Sequence, residues 1–262
     1  MMSDKQIFTT PPARNPAVSD MVAGIRQGII IAAGILVLTL PPSRSASVAA
    51  SALPAAAAKS VQPNPRFADF SGEPASFEAT YLANWIADSG DNQSLSFVII
   101  DKKNARVFVF GPQGKLLGAT PVLLGAAPGD DSVLGIGNKA ISDVKLEERT
   151  TPAGRFLGEP GRNSLGEDVI WVDYDAAVSM HRVRIVDPKE RRLERLASPE
   201  TDDNRISYGC VNVPVAFFEN VLSPVFKARY GVVYVLPEVK SLHEVFANVY
   251  DPAEVRPRPA SP

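Results

Sequence analysis

The stretch "SFVIIDKKNARVFVFGPQGKLLGATPVLLG", residues 96–125, constrains the fold more than any other part of this chain. Phe97 to Ile100 and Val107 to Phe110 are runs of β-branched and aromatic residues, bounded by turn formers and too short for helices. The Lys-Lys-Asn and Gly-Pro-Gln-Gly connections leave no room for a crossover, so the strands they join must be antiparallel neighbours. "DVIWVDYD", "AAVSMHRVRIV" and "GVVYVLP" read as further strands. In the second of these, Val178, Met180 and Arg182 alternate with Ser179, His181 and Val183, so the two sets face opposite sides of a sheet. "RTTPAGRF" places Pro152 and Gly154 in a tight turn ahead of another strand. A mainly β domain follows.

Helices punctuate it. Ala75 to Ala87 puts Phe77, Tyr81, Leu82, Trp85 and Ile86 on one face, which predicts a helix docked on the sheet. A charged helix is expected from Lys189 to Leu196, and an amphipathic one through Phe217, Val221 and Leu222. A last helix presents Leu242, Val245, Phe246 and Val249.

The N-terminus has a different character. Lys5, Arg14 and Arg26 precede the uncharged run Gly28 to Leu40, and small residues follow. That order is the layout of a secretory signal. The run is shorter than the roughly 20 residues a helix needs to cross a bilayer, and Pro41-Pro42 stops it. The expected division is 1–57 signal and start of a linker, 58–72 linker, 73–95 helix and connection, and 96–237 the main β domain. A C-terminal helix (238–250) and a Pro-rich disordered tail (251–262) complete it. The mature chain is expected in the periplasm or cell envelope, without a membrane span.

A net charge of −2 gives no pull towards nucleic acid, and no nucleic-acid motif is present. "GAAPGDDSVLGIGN" lacks the Gly-Lys-Ser/Thr ending of a phosphate loop, and reads as a mobile loop whose Asp130 and Asp131 are solvated. One cysteine and two histidines make a zinc site a poor fit, so neither metal nor cofactor is expected.

That cysteine, Cys210, lies in "NRISYGCVNVP". Exported cysteines usually pair as disulfides, so a single one is either kept for reactivity or a small buried hydrophobe. His243 flanks an apolar helix stripe and reads as structural; His181 sits mid-strand, where a lone histidine is also more often structural. A thiol with pKa near 8.5 is only slightly ionised at neutral pH, and an imidazole beside it would activate it. Gly209 leaves room for a carbonyl to approach the backbone, where N–H groups could meet a developing oxyanion.

Ser207-x-Gly209-Cys210-Val211, preceded by a strand histidine, resembles the signature of the L,D-transpeptidase (YkuD) catalytic-domain family. "TTPAGRF", the opening hairpin and "GVVYVLP" are similar to further landmarks of that family, in its order, across residues 96–237. The resemblance implies a β-sandwich of mixed sheets with a few helices. It also implies cysteine-dependent acyl transfer on peptidoglycan stem peptides, with attack on strained β-lactam carbonyls. By position, Cys210 is the nucleophile, His181 the base, and Gly209 and Cys210 the oxyanion donors. Ser207 supports the constellation, and the carbonyl of Arg182 orients the imidazole. The family usually reads His-Gly and Cys-Ile/Val-Arg, where this chain has His181-Arg182 and Cys210-Val211-Asn212. Asn212 donates hydrogen bonds but carries no charge. Asn212, Arg184, Arg205 and Tyr208 are the candidate substrate-binding residues. The segment from His181 to Arg205, with Arg182, Arg184, Arg191, Arg192 and Arg195, is either a lid that meets substrate carboxylates or a self-neutralised surface helix. A hydrolase on the same scaffold and a non-catalytic wall-binding protein are the alternatives.

Overall fold

The computed structural model describes residues 64–255. The signal segment and most of the expected linker lie outside them, as does the tail from residue 256. Among the described residues no helix is long and apolar enough to cross a membrane.

The hairpin stretch forms β1 (Phe97–Asp101), β2 (Arg106–Phe110) and β3 (Leu116–Pro121), paired antiparallel in sequence. The chain continues through β4 (Leu124–Gly125), β5 (Gly154–Arg162), β6 (Asp168–Asp173), β7 (Val178–Arg182), β8 (Arg205–Ser207), β9 (Val211–Val213) and β10 (Gly231–Val235). Eight strands make one mixed sheet in the order β3-β2-β1-β10-β5-β6-β7-β9, while β4 and β8 pair separately. The fold is mainly β with mixed sheets and a few helices, as the sequence predicts. The large sheet curls almost into a barrel. Leu123, just after β3, exchanges two backbone hydrogen bonds with Asn212 of β9 at 2.9 and 2.8 Å, joining the two edges.

β1 is buried on both faces, which is why its sequence is a continuous apolar run rather than an alternation. Val98, Ile100, Val107, Val109, Val233 and Val235 point inward, with Ile170, Met180, Val211 and Val213 from the other half of the sheet. Phe97, Ile99, Phe108, Phe110 and Tyr234 point outward and are covered by the helix Phe77–Ser89 through Ala79, Leu82, Trp85 and Ile86. Ser76 caps that helix by accepting from the Ala79 N–H, and Gly90 ends it in the left-handed region (φ 72°). Each fully buried Phe or Leu contributes about 2 kcal/mol, so this outer layer is part of the core and no mere appendage.

Several expectations need correction. The linker's end is packed: Phe70 sets its ring edge-on against Phe108 and Phe110, and the backbone of Asp69 pairs alongside that of Lys115 in a single β-bridge. Asp130 is not solvated but buried, held by Lys102 of the β1–β2 turn. The charged helix is broken at Arg191 (φ 51°) into a 3-10 turn, Pro188–Glu190, and a helix, Arg192–Ala197. The helix after the cysteine changes pitch: Val215–Phe217 is α, Phe218–Leu222 is π and Ser223–Ala228 is α. The wider turn sets Phe218, Leu222 and Phe226 into the inner core. The last helix is only Leu242–Val245, and Phe246 and Val249 are buried beyond it. The expected tail begins with a helical turn, Pro252–Val255.

Candidate active site

Cys210 stands immediately before β9, and β9 pairs in parallel with β7 so that Met180 faces Val211 and His181 faces Asn212. This pairing brings the cysteine turn beside the strand histidine. Because Met180 and Val211 fill the inner core, Ser179, His181 and Asn212 project from the opposite face. The site is built on the outer side of the sheet, with the core beneath it.

The imidazole is oriented by its own neighbour. His181 Nδ1 lies 2.8 Å from the carbonyl oxygen of Arg182. A carbonyl can only accept, so Nδ1 carries the proton in the neutral ring and Nε2 is left as the base. His181 and Cys210 lie close enough for each to shift the other's pKa. Burial by itself would lower the imidazole pKa, but the bond and charge of the Cys210 thiolate, helped by the Arg182 carbonyl, raise it. Burial likewise pushes the thiol up, and His181 together with Ser179 more than reverses this, so the thiol pKa is lowered. Both shifts favour a thiolate–imidazolium pair. Cys210 is free and half-buried. Its Sγ is 3.7 Å from Ser179 Oγ and 3.7 Å from the Ala177 carbonyl oxygen.

The turn before the thiol is tightly specified. Ser207 Oγ donates to the Cys210 carbonyl at 2.6 Å and accepts from the Gly209 N–H at 3.1 Å. The Gly209 N–H, expected as an oxyanion donor, is therefore bonded to Ser207. Gly209 is needed for another reason: its φ is +125°, and a Cβ there would lie 2.7 Å from the Thr150 carbonyl oxygen. Thr151, buried completely, donates from Oγ1 to the Gly209 carbonyl at 2.9 Å and accepts there from the Gly125 N–H at 2.9 Å.

A charged network stands behind Thr151. Lys102 Nζ, fully buried, bonds the carbonyls of Gly129 and Thr151 and a carboxylate oxygen of Asp130, the last at 2.7 Å. Asp130 also accepts from the backbone N–H groups of Glu238, Val239 and Lys240. Burial alone would raise its pKa, but Lys102 and those three N–H groups bring it down to about 2. No signal in the sequence marks this brace.

The candidate binding residues separate in space. Asn212 is buried; its Nδ2 donates to the Cys210 carbonyl at 3.2 Å, and its Oδ1 accepts from Arg192 at 2.9 Å. Tyr208 is exposed next to the thiol, with the Arg149 guanidinium 4.0 Å above its ring. Arg205 is spent elsewhere: it pairs with Glu238 and donates to the Lys102 carbonyl, so it belongs to the buried brace. Arg184 pairs with Glu167 in the β5–β6 turn at 3.6 Å. The Arg182 side chain clamps Glu219 and lies 4.1 Å from the Phe218 ring, so only its carbonyl faces the imidazole. In the insert, Arg191 pairs with Glu194, and Arg195 donates to the carbonyls of Glu190 and Asp203. Leu196 anchors the insert against Leu123 and Val183.

Ser179, Thr151 and Arg149 were not singled out from the sequence. Ser179 had a signal, since it lies two residues from His181 on one strand and must share its face. Thr151 lies in the "TTPAGRF" landmark, but neither its role nor that of Arg149 was marked, because only folding brings them to the cysteine turn.

A half-buried thiol–imidazole pair on the outer face of a mixed β sheet defines a cysteine–histidine site. No family model and no curated protein matches the chain. Among solved structures it is similar to Enterococcus faecium L,D-transpeptidase, at 17% identity over 54% of this chain and 49% of that one, with a TM-score of 0.32. The isolated catalytic domain of an E. faecium L,D-transpeptidase is similar at 18% identity, over 54% of this chain and 96% of that one, with a TM-score of 0.31. The helical cell shape determining protein Pgp2 from Campylobacter jejuni is similar at 16% identity, over 60% of this chain and 55% of that one, with a TM-score of 0.36. The chain thus spans about half the length of the longer of these structures.

Proposed function

We propose that the protein is an exported, cysteine-dependent acyl transferase acting on peptidoglycan stem peptides. The observation that carries this reading is the β7–β9 pairing, which sets the free, half-buried Cys210 beside His181, whose Nδ1 is held by the Arg182 carbonyl at 2.8 Å; the lowered thiol and raised imidazole pKa values agree with it. The Cys210 thiolate attacks the carbonyl of a peptide bond in the donor stem. The tetrahedral oxyanion sits at the cysteine turn, where the Cys210 N–H is the candidate donor, since that of Gly209 is taken by Ser207. The imidazolium gives its Nε2 proton to the leaving amine as the C–N bond breaks, leaving a thioester on Cys210 and a neutral His181. The amine of a second stem then attacks the thioester, His181 taking its proton, and a new peptide bond forms as the thiolate leaves.

Incubation of the purified protein with stem peptides tests this reading by mass spectrometry. A thioester on Cys210 and a crosslinked product are expected. Release of the shortened stem alone would make water the acceptor and the protein a hydrolase. A carbapenem offers a strained acyl donor, and should add one adduct to wild type and none to Cys210→Ala. No adduct with either reagent would sink the acyl-enzyme reading and leave a wall-binding role.

A further inference from the structure

Arg192 is the arginine of the insert that reaches the site. It opens the helix Arg192–Ala197, and the kink at Arg191 turns its side chain towards β9. One terminal nitrogen donates to Asn212 Oδ1 at 2.9 Å, and Nε donates to a carboxylate oxygen of Glu190 at 2.6 Å. The Arg192 side chain is only 12% exposed, whereas the Glu190 side chain is 32% exposed. Arg192 is also close enough for its charge to act on His181, where it opposes protonation of the ring.

These contacts place a fixed cation beside the reacting pair with two of its five N–H donors engaged in described bonds. Its carboxylate partner comes from the same insert, two residues away, on the more exposed side. A guanidinium fork fits a carboxylate in two-point geometry, and such bonds are about twice as strong as neutral ones. We infer that Arg192 recognises a carboxylate of the acyl donor next to the scissile carbonyl, and that Glu190 is an internal stand-in which the substrate carboxylate displaces. This specificity rests on the acyl-transfer function proposed above. Asn212 then has a further role: it carries the position of Arg192 to the Cys210 carbonyl through its two hydrogen bonds.

The test compares a peptide donor bearing a free carboxylate beside the reacting carbonyl with its carboxamide analogue. The readout is the ratio of their rates of adduct formation on Cys210, followed by intact mass in the full-length protein. Arg192→Gln should lower the carboxylate-to-carboxamide ratio by about tenfold or more. Glu190→Gln, which removes the competitor and leaves the cation, should raise the ratio several-fold. Arg192→Lys should recover part of the preference. Because both donors meet the same variant, a general loss of packing cancels in the ratio, and Glu190→Gln removes no buried group. Opposite shifts support the inference; any other pattern, with adducts still forming, overturns it. Absence of adducts from wild type with both donors would instead overturn the acyl-transfer function, and this specificity with it.

Discussion

Thr151 holds the Gly209 carbonyl at 2.9 Å from a position that shares no strand with the cysteine turn. Its own carbonyl accepts from Lys102 at 2.9 Å, so one buried threonine connects the thiol's turn to the charged brace behind it. Thr151→Val keeps the shape and removes the hydroxyl, leaving the Gly125 N–H and the Gly209 carbonyl unpaired. The expected cost is about 2 kcal/mol in chemical denaturation, with slower acylation of Cys210. Thr151→Ser should retain most of both, and an equal loss in the serine variant would count against the hydrogen bonds as the cause.

Gly209→Ala is expected to be severe. The new Cβ would meet the Thr150 carbonyl oxygen at 2.7 Å in a backbone region disfavoured for any L side chain. A loss of about 2 kcal/mol and a fall in Tm of about 5 °C are expected. A wild-type melting curve would show that the turn relaxes freely.

The ionisation of Cys210 can be read from the rate of alkylation against pH. With the thiol pKa lowered, the rate should rise through an inflection at lower pH than for a free thiol. Burial alone raises the thiol pKa, so His181→Ala removes the opposing influence and should move the inflection upward. The same variant should slow acyl transfer by about a hundredfold or more. An inflection that stays in place would separate the imidazole from the thiol.

Asp130→Asn leaves buried Lys102 with Glu238 at 3.4 Å as its remaining carboxylate. Breaking a buried ion pair costs about 3 kcal/mol or more, measurable as a lower denaturant midpoint. The pH dependence has a definite sign. The folded pKa of about 2 lies below the ordinary carboxylate value of 3.8, so the stabilisation is fully present above the latter. It is lost as pH falls through 3.8 towards 2, and the acid limb of wild-type stability should therefore be steeper than that of Asp130→Asn. Superimposable acid limbs would show that Asp130 is already protonated or solvated.

The short-range chemistry of this protein was legible in its sequence. Turn residues and apolar runs dictated the hairpins β1–β2–β3, because two-to-four-residue connections admit only antiparallel neighbours. The lone thiol and the strand histidine stood out as a candidate pair by residue type, and the β7–β9 pairing brings the cysteine turn beside that histidine. What separates Arg192 from Arg184 and Arg205 was invisible. All three are arginines of one charged insert, and only the kink at Arg191 and the β7–β9 pairing decide which of them meets Asn212. Asp130 and Asp131 are likewise adjacent acids in one loop, yet one is buried on Lys102 and the other pairs with exposed Lys240. Local sequence determined which elements form and which chemistry they carry. The tertiary structure decided partners and protonation, because both depend on burial and on contacts between residues as far apart as Lys102, Thr151 and Gly209.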